Sequence, residues 1–239
     1  MHTIILSVDE AKRLADGALA AAEKDGLTPI INAAKLTRAA DGRVSLVATD
    51  RYRVHRMLTA ELAPPTGTQP GGYPAWDEVE TVIPYAGLKW LAANAKKLGH
   101  FATVVIEIVP WEDSVSPGSI AIEVRAGLPN SNGLLEMDRA DGYLGYACRP
   151  VAGTFPPVDR LFADPQPPNE IDERGVLLEV NFLADLKKLK RYSSRRGEPA
   201  RVLTSRKSQS GRPGAVRFEF ADNGKVYADA LIMPNLDLR

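Results

Sequence analysis

The side chains best suited to catalysis are few and scattered along this chain. His2, His55 and His100 have none of the spacings that metal sites use. No glycine-rich phosphate loop is present, and no serine lies in a nucleophile elbow. Cys148 is the single cysteine, so it can form no internal disulfide, and no motif around it marks a nucleophile. We therefore predict that the protein is not an enzyme and that it uses no metal or cofactor.

One short segment could be taken for part of a nuclease. Asp50 stands beside Arg51 and close to Arg53, so a carboxylate and two cations are near in sequence. A two-metal nuclease site needs several carboxylates that converge, and this segment offers one. An enzyme therefore remains the weaker alternative to a binding protein.

The basic residues suit binding better than catalysis, provided that they are unevenly placed. The chain has 30 basic and 30 acidic residues and no net charge, which excludes a generally cationic coat for nucleic acid. In a predicted helix over residues 182–192, cations recur every three or four positions opposite leucines, and a predicted helix over residues 85–98 repeats this more weakly. Either stripe could be a solvated helix face instead. The candidate DNA-contacting residues are Lys89, Lys96, Lys97, Lys187, Lys188, Arg191 and Arg195.

The elements that position these residues follow a repeated order. Residues 8–24 are rich in Ala and Leu and predict a helix with Ser7 as its N-cap, and strands are predicted over residues 30–36, 44–48 and 52–58. A second round has a strand at 80–83, the helix 85–98, and strands at 102–109 and 119–126. A third has a strand at 176–180, the helix 182–192, and strands at 200–204, 215–221 and 225–233. Each round is a strand, a helix and about three strands.

This order predicts an α+β fold of antiparallel sheets with helices on one face. Asp41-Gly42 and Asp222-Asn223-Gly224 are hairpin turn signals between neighbouring strands. Residues 163–169 (ADPQPPN) have the proline density of a linker. We therefore predict a first domain over residues 1–163, made of two half-units, and a C-terminal half-domain over residues 164–239. A further half-unit between residues 127 and 175 would make two whole domains, although the Pro and Gly content there argues against it.

Bulk properties predict a cytoplasmic globular protein. Hydrophobic residues make up 44% and charged residues 25%, with no apolar run long enough to cross a membrane. The first residues lack a basic leader and read as a strand, not as a secretion signal.

Four separated segments resemble one family, the bacterial DNA polymerase III beta subunit, or sliding clamp. Residues 47–54 (VATDRYRV) are similar to the ATDGHRL segment of the clamp's middle domain, with Arg51 and Tyr52 in place of Gly and His. Residues 154–161 (TFPPVDRL) resemble the FPDYRRV connector, and residues 230–239 (ALIMPNLDLR) the VMPMRL terminus. Residues 178–186 (LEVNFLADL) resemble the opening of the second half of the last domain. The order and spacing of these segments make the case.

The resemblance implies a DNA-clamp fold and a hydrophobic pocket that docks short linear motifs of replication proteins. The expected pocket residues are Thr49, Tyr52, Arg53, Val54, Pro156, Leu161, Leu231, Met233, Pro234 and Leu236. The implied partners are the replicative polymerase, the clamp loader and duplex DNA bound without sequence specificity, and the implied assembly is a homo-oligomer. Three of the segments also have a purely structural interpretation: residues 47–54 as a hairpin turn, residues 154–161 as a linker and residues 230–239 as a last strand.

Two functions follow from this resemblance. The first is a processivity factor of DNA replication that encircles or contacts duplex DNA. The second is an adaptor or inhibitor that binds replication proteins without forming a ring. Family rings close with twelve half-units, whereas three are predicted here, so three or four chains per ring, or no ring, stay open. The short chain and its high Ala, Arg and Pro content further suggest a phage of a GC-rich host, which would place the protein in the host cytoplasm.

Overall fold

The fold consists of three successive units and a connector. In the computed structural model the described residues are 1–59, 77–109, 118–126, 142–163, 177–191, 199–204 and 214–234. Unit 1 contains β1 (His2–Ser7), α1 (Val8–Ala21), β2 (Ala33–Arg38), β3 (Val44–Thr49) and β4 (Arg53–Leu58). Unit 2 contains β5 (Val79–Pro84), α2 (Tyr85–Asn94), β6 (Thr103–Val109), β7 (Ser119–Arg125) and β8 (Tyr143–Cys148).

The connector, residues 151–163, ends in the short helix α3 (Arg160–Ala163). Unit 3 begins with the segment 177–179 and then forms α4 (Val180–Asp185) and a 3₁₀ helix (Leu186–Leu189). Its strands are β9 (Arg201–Thr204), β10 (Val216–Asp222) and β11 (Lys225–Ile232).

Units 1 and 2 exchange their first strands. β1 leaves unit 1 and pairs with β6, while β5 leaves unit 2 and pairs with β2, and both pairings are antiparallel. One sheet therefore has the order β1-β6-β7-β8, and the other has the order β5-β2-β3-β4-β11-β10-β9. Antiparallel pairing of β4 with β11 joins unit 3 to unit 1. A single sheet thus runs across the boundary predicted at residues 163 and 164, and the division into two domains stays a prediction.

Helix α1 begins at a side-chain cap and packs closely against its neighbours at a glycine. Ser7 Oγ accepts the Glu10 backbone N–H at 3.2 Å, which satisfies one donor of the first turn and confirms the predicted N-cap. α1 packs against α2 on one side and the 3₁₀ helix on the other. A Cβ on Gly17 would come within 2.8 Å of Met57 Sδ and 3.1 Å of Leu189 Cδ2. Any larger residue at position 17 would require the Met57 side chain to move, so glycine favours the close approach of α1 to β4 and unit 3.

The core lies between the helices and the inner faces of the two sheets. The largest fully buried side chains are apolar and come from α1, α2 and strands β1 to β7: Ile4, Leu6, Leu14, Leu36, Leu46, Met57, Ile83, Leu88, Ile106, Ile108, Ile120 and Ile122. A smaller cluster on the outer face of the seven-stranded sheet packs Val54 and Leu231 against Phe155 and Phe162 of the connector. The predicted α+β fold of antiparallel sheets with helices on one face is confirmed.

Two element predictions are wrong, and one strand was missed. The strand predicted over residues 176–180 is absent from its described part, because residues 177–179 pair with no described strand and Val180 begins α4. The helix predicted over 182–192 changes to a 3₁₀ helix at Leu186 and ends at Leu189, where the next residue is extended. β8 was not predicted, since Gly145 interrupts a short edge strand whose alternation is carried by only three residues.

Candidate functional site

An apolar cleft of about 470 Å³ lies on the outer face of the seven-stranded sheet. Four parts of the chain form it: the turn after α1, the end of β3 with the start of β4, the connector, and the start of β10 with the end of β11. Its lining residues are Thr28, Ile30, Ile31, Thr49, Arg51, Arg53, Val54, Pro156, Val158, Leu161, Ala215, Leu231 and Met233. The cleft has the size and apolar character of a ligand pocket.

The floor of the cleft comes from strand pairing and its walls from exposed side chains. Val54 and Leu231 lie opposite each other in the β4–β11 pair and are buried. Leu161 and Met233 remain 47% and 48% exposed. The Met233 N–H donates to the Tyr52 carbonyl at 2.8 Å, which fixes the chain end of β11 against the β3–β4 turn. Two large apolar side chains are therefore held open to solvent beside a buried apolar floor.

The β3–β4 turn at the rim is strained at one residue. Arg51 has φ 78°, in the left-handed region that disfavours side chains with a Cβ. Asp50 Oδ1 holds the turn by accepting the N–H groups of Tyr52 and Arg53, both at 3.1 Å. The Arg51 guanidinium donates to Thr28 Oγ1, and its side chain is 60% exposed. A largely exposed cation thus stands at the edge of an apolar cleft.

Arg53 connects the cleft to unit 3. Its side chain is 6% exposed, with Nε donating to Asp50 at 2.9 Å and Nη1 donating to Asp185 of α4 at 2.7 Å. The guanidinium also lies 4.3 Å from the ring centroid of Phe182. Since both partners are in place, the buried charge is compensated.

A second group of ion pairs anchors the connector under Leu161. Asp229 is fully buried and accepts from Arg56 at 2.6 and 2.9 Å and from Arg217 at 2.8 Å. Arg56 lies over the Phe162 ring at 4.2 Å, and the Phe162 carbonyl accepts from Arg217. Lys35 pairs with Asp159 at the other end of the segment. The connector wall is therefore tied to β4, β10, β11 and β2.

The structure brings most of the predicted pocket residues together. Seven of them line the cleft: Thr49, Arg53, Val54, Pro156, Leu161, Leu231 and Met233. Tyr52 lies beside the cleft with its side chain outward, and Pro234 is buried, so neither is among the lining residues. Leu236 lies outside the described residues. The binding role of these residues stays a prediction.

The sequence reasoning missed six lining residues. Ile30 and Ile31 were assigned to a strand, but they lie in the turn that precedes β2. Arg51 was noted as a departure from the family pattern and as a cation beside Asp50 but not as a pocket residue, although a non-glycine residue at a glycine position was itself a signal. Val158 belongs to the segment 154–161, from which only Pro156 and Leu161 were chosen. Nothing in the local sequence marks Thr28 or Ala215.

The candidate DNA-contacting residues differ in how their charges are compensated. Lys187 and Lys188 are exposed on the 3₁₀ helix, and neither has an ion-pair partner among the described residues. Arg191 pairs with Asp222 at 2.7 Å and stacks on Tyr227, and Lys96 pairs with Asp9. Lys89 and Lys97 are exposed in and after α2, and Arg195 lies outside the described residues. The single helical stripe predicted over residues 182–192 is wrong, because Arg191 lies beyond the end of the helix.

Two titratable side chains away from the cleft have pKa values shifted by burial, His55 fully buried and Cys148 partly buried. His55 is fully buried, and burial lowers its pKa to about 4, while its Nδ1–H donates to the Gly17 carbonyl at 2.9 Å. Burial raises the pKa of the Cys148 thiol to about 11, so it is a protonated, unreactive group at neutral pH. Across the described ranges, no three His, Cys, Asp or Glu side chains are grouped to hold a metal ion. None of the described helices is long and apolar enough to cross a membrane.

This arrangement of two strand-exchanged units with paired helices, joined to a third through a continuous sheet, is similar in structure to DNA polymerase sliding clamps. The DNA polymerase sliding clamp of Pseudomonas aeruginosa matches with a TM-score of 0.61 and 14% identity, over 98% of this chain and 66% of that one. The DNA polymerase III subunit beta of Borrelia burgdorferi matches with a TM-score of 0.59 and 11% identity, over 98% and 64%. The DNA polymerase III beta chain of Streptococcus pneumoniae matches with a TM-score of 0.53 and 14% identity, over 98% and 65%.

The structural neighbours of this chain are thus DNA polymerase III beta subunits, and the predicted clamp fold is confirmed. The chain spans slightly less than two thirds of the length of these clamps. Its sequence matches no protein-family model and no curated protein.

Proposed function

We propose that the protein is a sliding-clamp-like processivity factor of DNA replication, without enzymatic activity, that acts in the cytoplasm. The observation that carries the proposal is the apolar cleft, which three of the segments resembling the clamp family form together with the turn after α1. We propose that this cleft binds the short hydrophobic motifs of a replicative polymerase and a clamp loader. A cleft with a buried floor, two exposed apolar walls and a few polar groups suits the apolar end of an extended peptide.

Arg51 gives the cleft a charge preference. Its guanidinium is the more exposed of the two cations that line the cleft, because Arg53 is buried between two carboxylates. We propose that Arg51 pairs with an acidic side chain of the bound peptide. Such a rim contact contributes mainly to selectivity and to the rate of association.

The proposed contact with DNA uses the helical side of the molecule, opposite the cleft. Lys187 and Lys188 are exposed there, and Lys89 and Lys97 are exposed near α2. Cations that meet only phosphate bind duplex DNA without reading its sequence, and each contact is weakened by salt. We propose that several chains together hold DNA in this way, as a homo-oligomer.

The test of the cleft measures binding of a labelled peptide that carries the clamp-binding motif. Met233→Asp places a charge on the apolar wall, where Met233 is half-exposed and tolerates it, and should weaken binding about a hundredfold. Phe101→Asp, at an apolar residue that is 74% exposed and remote from the cleft, is the matched control and should bind as wild type. Unchanged affinity in a folded Met233→Asp protein would refute the cleft assignment.

Measuring duplex DNA binding beside peptide binding separates the two proposed activities. Lys187→Glu combined with Lys188→Glu should weaken duplex binding and lower the dependence of log K on log salt by roughly 0.9 for each lost contact. Peptide affinity should stay unchanged because the sites lie on opposite faces. Lys24→Glu, at an exposed lysine after α1, is the control. Equal duplex binding by the double variant across a salt series contradicts the DNA part, and peptide binding without DNA binding favours the ring-less adaptor.

A further inference from the structure

Units 1 and 2 complete each other by exchanging their first strands, whereas unit 3 has no such partner unit in the described part of the chain. In units 1 and 2 the first strand crosses to the other unit, and the helix begins at the next residue. The register of this crossing is the same in both directions. Ser7, the last residue of β1, lies opposite Thr103, the first residue of β6, and Pro84, the last residue of β5, lies opposite Ala33, the first residue of β2.

Both components of such a crossing are present in unit 3, and neither pairs with a strand in the described part of the chain. The segment 177–179 directly precedes α4, and Glu179 has extended backbone angles of φ −66° and ψ 122°. β9 is the last strand in its sheet order, so one of its edges pairs with no strand among the described residues. In this part of the chain, unit 3 thus offers a strand and an edge with no described partner for either.

Burial at matching positions shows that this edge lacks a cover. The second residue of the acceptor strand is Ala34 in β2 and Val104 in β6, and each is 0% exposed beneath a crossing strand. The same position in β9 is Val202, which is 55% exposed. Val202 lies opposite Phe218, on the face of the sheet that packs against the core. An apolar residue on the core-facing side is therefore left open to water at this edge.

Matching residues of the helices are also more exposed in unit 3 than in units 1 and 2. The fourth helical residue is Ala11 in α1 and Leu88 in α2, and both are 0% exposed because the two helices pack on each other. Leu183 takes this position in α4 and is 39% exposed. The first helical residue, Val180, is 72% exposed, whereas Val8 of α1 is 1% exposed.

We propose that a second copy of this chain completes unit 3, with the two copies exchanging their 177–179 segments about a two-fold axis. The register of the other crossings places Glu179 opposite Arg201 of the second copy, Leu178 opposite Val202 and Leu177 opposite Leu203. The pairs are thus one of opposite charge and two apolar ones. The exchange also brings Val180 and Leu183 of the two α4 helices to the new interface.

The occupant is a second copy because the strand and the edge belong to the same unit. A two-fold axis uses each patch twice, so one donor segment and one acceptor edge per chain suffice for a closed dimer. Units 1 and 2 cannot serve as the partner, since β2 and β6 already pair with β5 and β1. The proposal does not rest on peptide or DNA binding and stands if either of them fails.

Light scattering over a range of concentrations tests the proposal on the full chain. Wild type should approach twice the chain mass as concentration rises. Glu179→Arg alone and Arg201→Glu alone should each raise the dissociation constant roughly tenfold, because each puts two like-charge pairs into the dimer. An equimolar mixture of the two variants should dimerise as wild type does, since both mixed pairs then have opposite charges. Glu78→Arg, at an exposed residue before β5, is the charge control.

A second pair of variants tests the apolar part of the interface. Val180→Asp should leave a folded monomer at concentrations where wild type and Phe101→Asp are dimers. A wild-type chain that stays monomeric at every concentration overturns the proposal. So does a dimer that withstands Val180→Asp and both charge reversals, because its interface would lie elsewhere.

Discussion

Units 2 and 3 both have a leucine as the fourth residue of their helix, with opposite surroundings. The Leu88 side chain is fully buried where α2 packs against its neighbours, whereas Leu183 of α4 is 39% exposed. The local sequences do not account for this difference, since both helices follow directly on an extended residue and both have leucine at the fourth position. Unit 2 has unit 1 as its partner, and unit 3 has no counterpart in the described part of the chain.

A single unit of this fold therefore does not bury its own apolar surface alone. Each first strand contributes to the sheet of the other unit, so both cores are completed by exchange. Unit 3 is instead attached to unit 1 through the β4–β11 pair and the contact of Leu189 with Gly17. This joint also holds the cleft, since Val54 and Leu231 lie opposite each other within it.

The largest expected effect comes from truncating the two equivalent leucines. Leu88→Ala should lower the free energy of unfolding by roughly 3 kcal/mol, because it opens a cavity in a complete core. Leu183→Ala should cost well under about 1 kcal/mol in dilute protein, since much of that side chain is already hydrated. Urea unfolding measures both. A rising cost of Leu183→Ala with protein concentration would indicate burial by a second copy, and equal costs in dilute protein would contradict the difference between the units.

The joint between units 1 and 3 should be the acid-sensitive part of the molecule. His55 lies on β4 opposite Ala230 of β11, and burial lowers its pKa from 6.5 to about 4. Below pH 6.5 the unfolded chain binds a proton that the folded chain does not bind until pH 4. The free energy of unfolding should therefore fall by about 3 kcal/mol as the pH drops through this window, and should be independent of this group above it.

The pH dependence is measured by urea unfolding at steps between pH 7 and pH 4. His55→Gln should remove most of the slope, while the control His100→Gln, at an exposed histidine, should keep it. A slope that survives in His55→Gln would assign the acid sensitivity to other groups.

The smallest expected effect concerns the last hairpin turns of units 1 and 3. Arg51 and Gly224 both have φ 78°, but only glycine adopts this angle without steric cost. Arg51→Gly should stabilise the protein by about 1 kcal/mol and weaken binding of an acidic peptide. Gly224→Arg, in a turn with open space around it, should destabilise by a similar amount. If Arg51→Gly destabilises, the contacts of Arg51 with Thr28 and Glu23 outweigh the strain.

Sequence patterns correctly predicted those features whose physical cause lies within a few neighbouring residues. Ser7 caps α1 because a side-chain oxygen next to a helix start can reach its free N–H groups, and the Asn223-Gly224 turn has the two positive φ angles that those residue types favour. The alternation of apolar residues located ten of the eleven described strands within a few residues. It failed at β8, where a short edge strand buries little, and at residues 177–179, where a strand requires a partner edge.

Seven residues of the cleft could be chosen from the sequence, but only through their likeness to segments of known clamps. The order of the chain does not reveal that the turn at Thr28 and the start of β10 at Ala215 would meet the same cleft. That meeting depends on which strands pair across more than a hundred residues. The burial of His55 has the same origin, since its polar side chain in an alternating strand gives no sign of the helix that covers it.

The sequence by itself therefore determined the three successive helix-and-strand units and the antiparallel hairpins, because these follow from periodicity and turn chemistry. Only the tertiary structure decided which strands are exchanged, that unit 3 joins unit 1 through β4 and β11, and that an apolar cleft opens at this joint. The physical reason is that every strand offers the same backbone N–H and C=O groups, so hydrogen bonding alone does not select which strands pair. The choice of partner is made by side-chain packing between distant segments, and it becomes visible only when those segments are in contact.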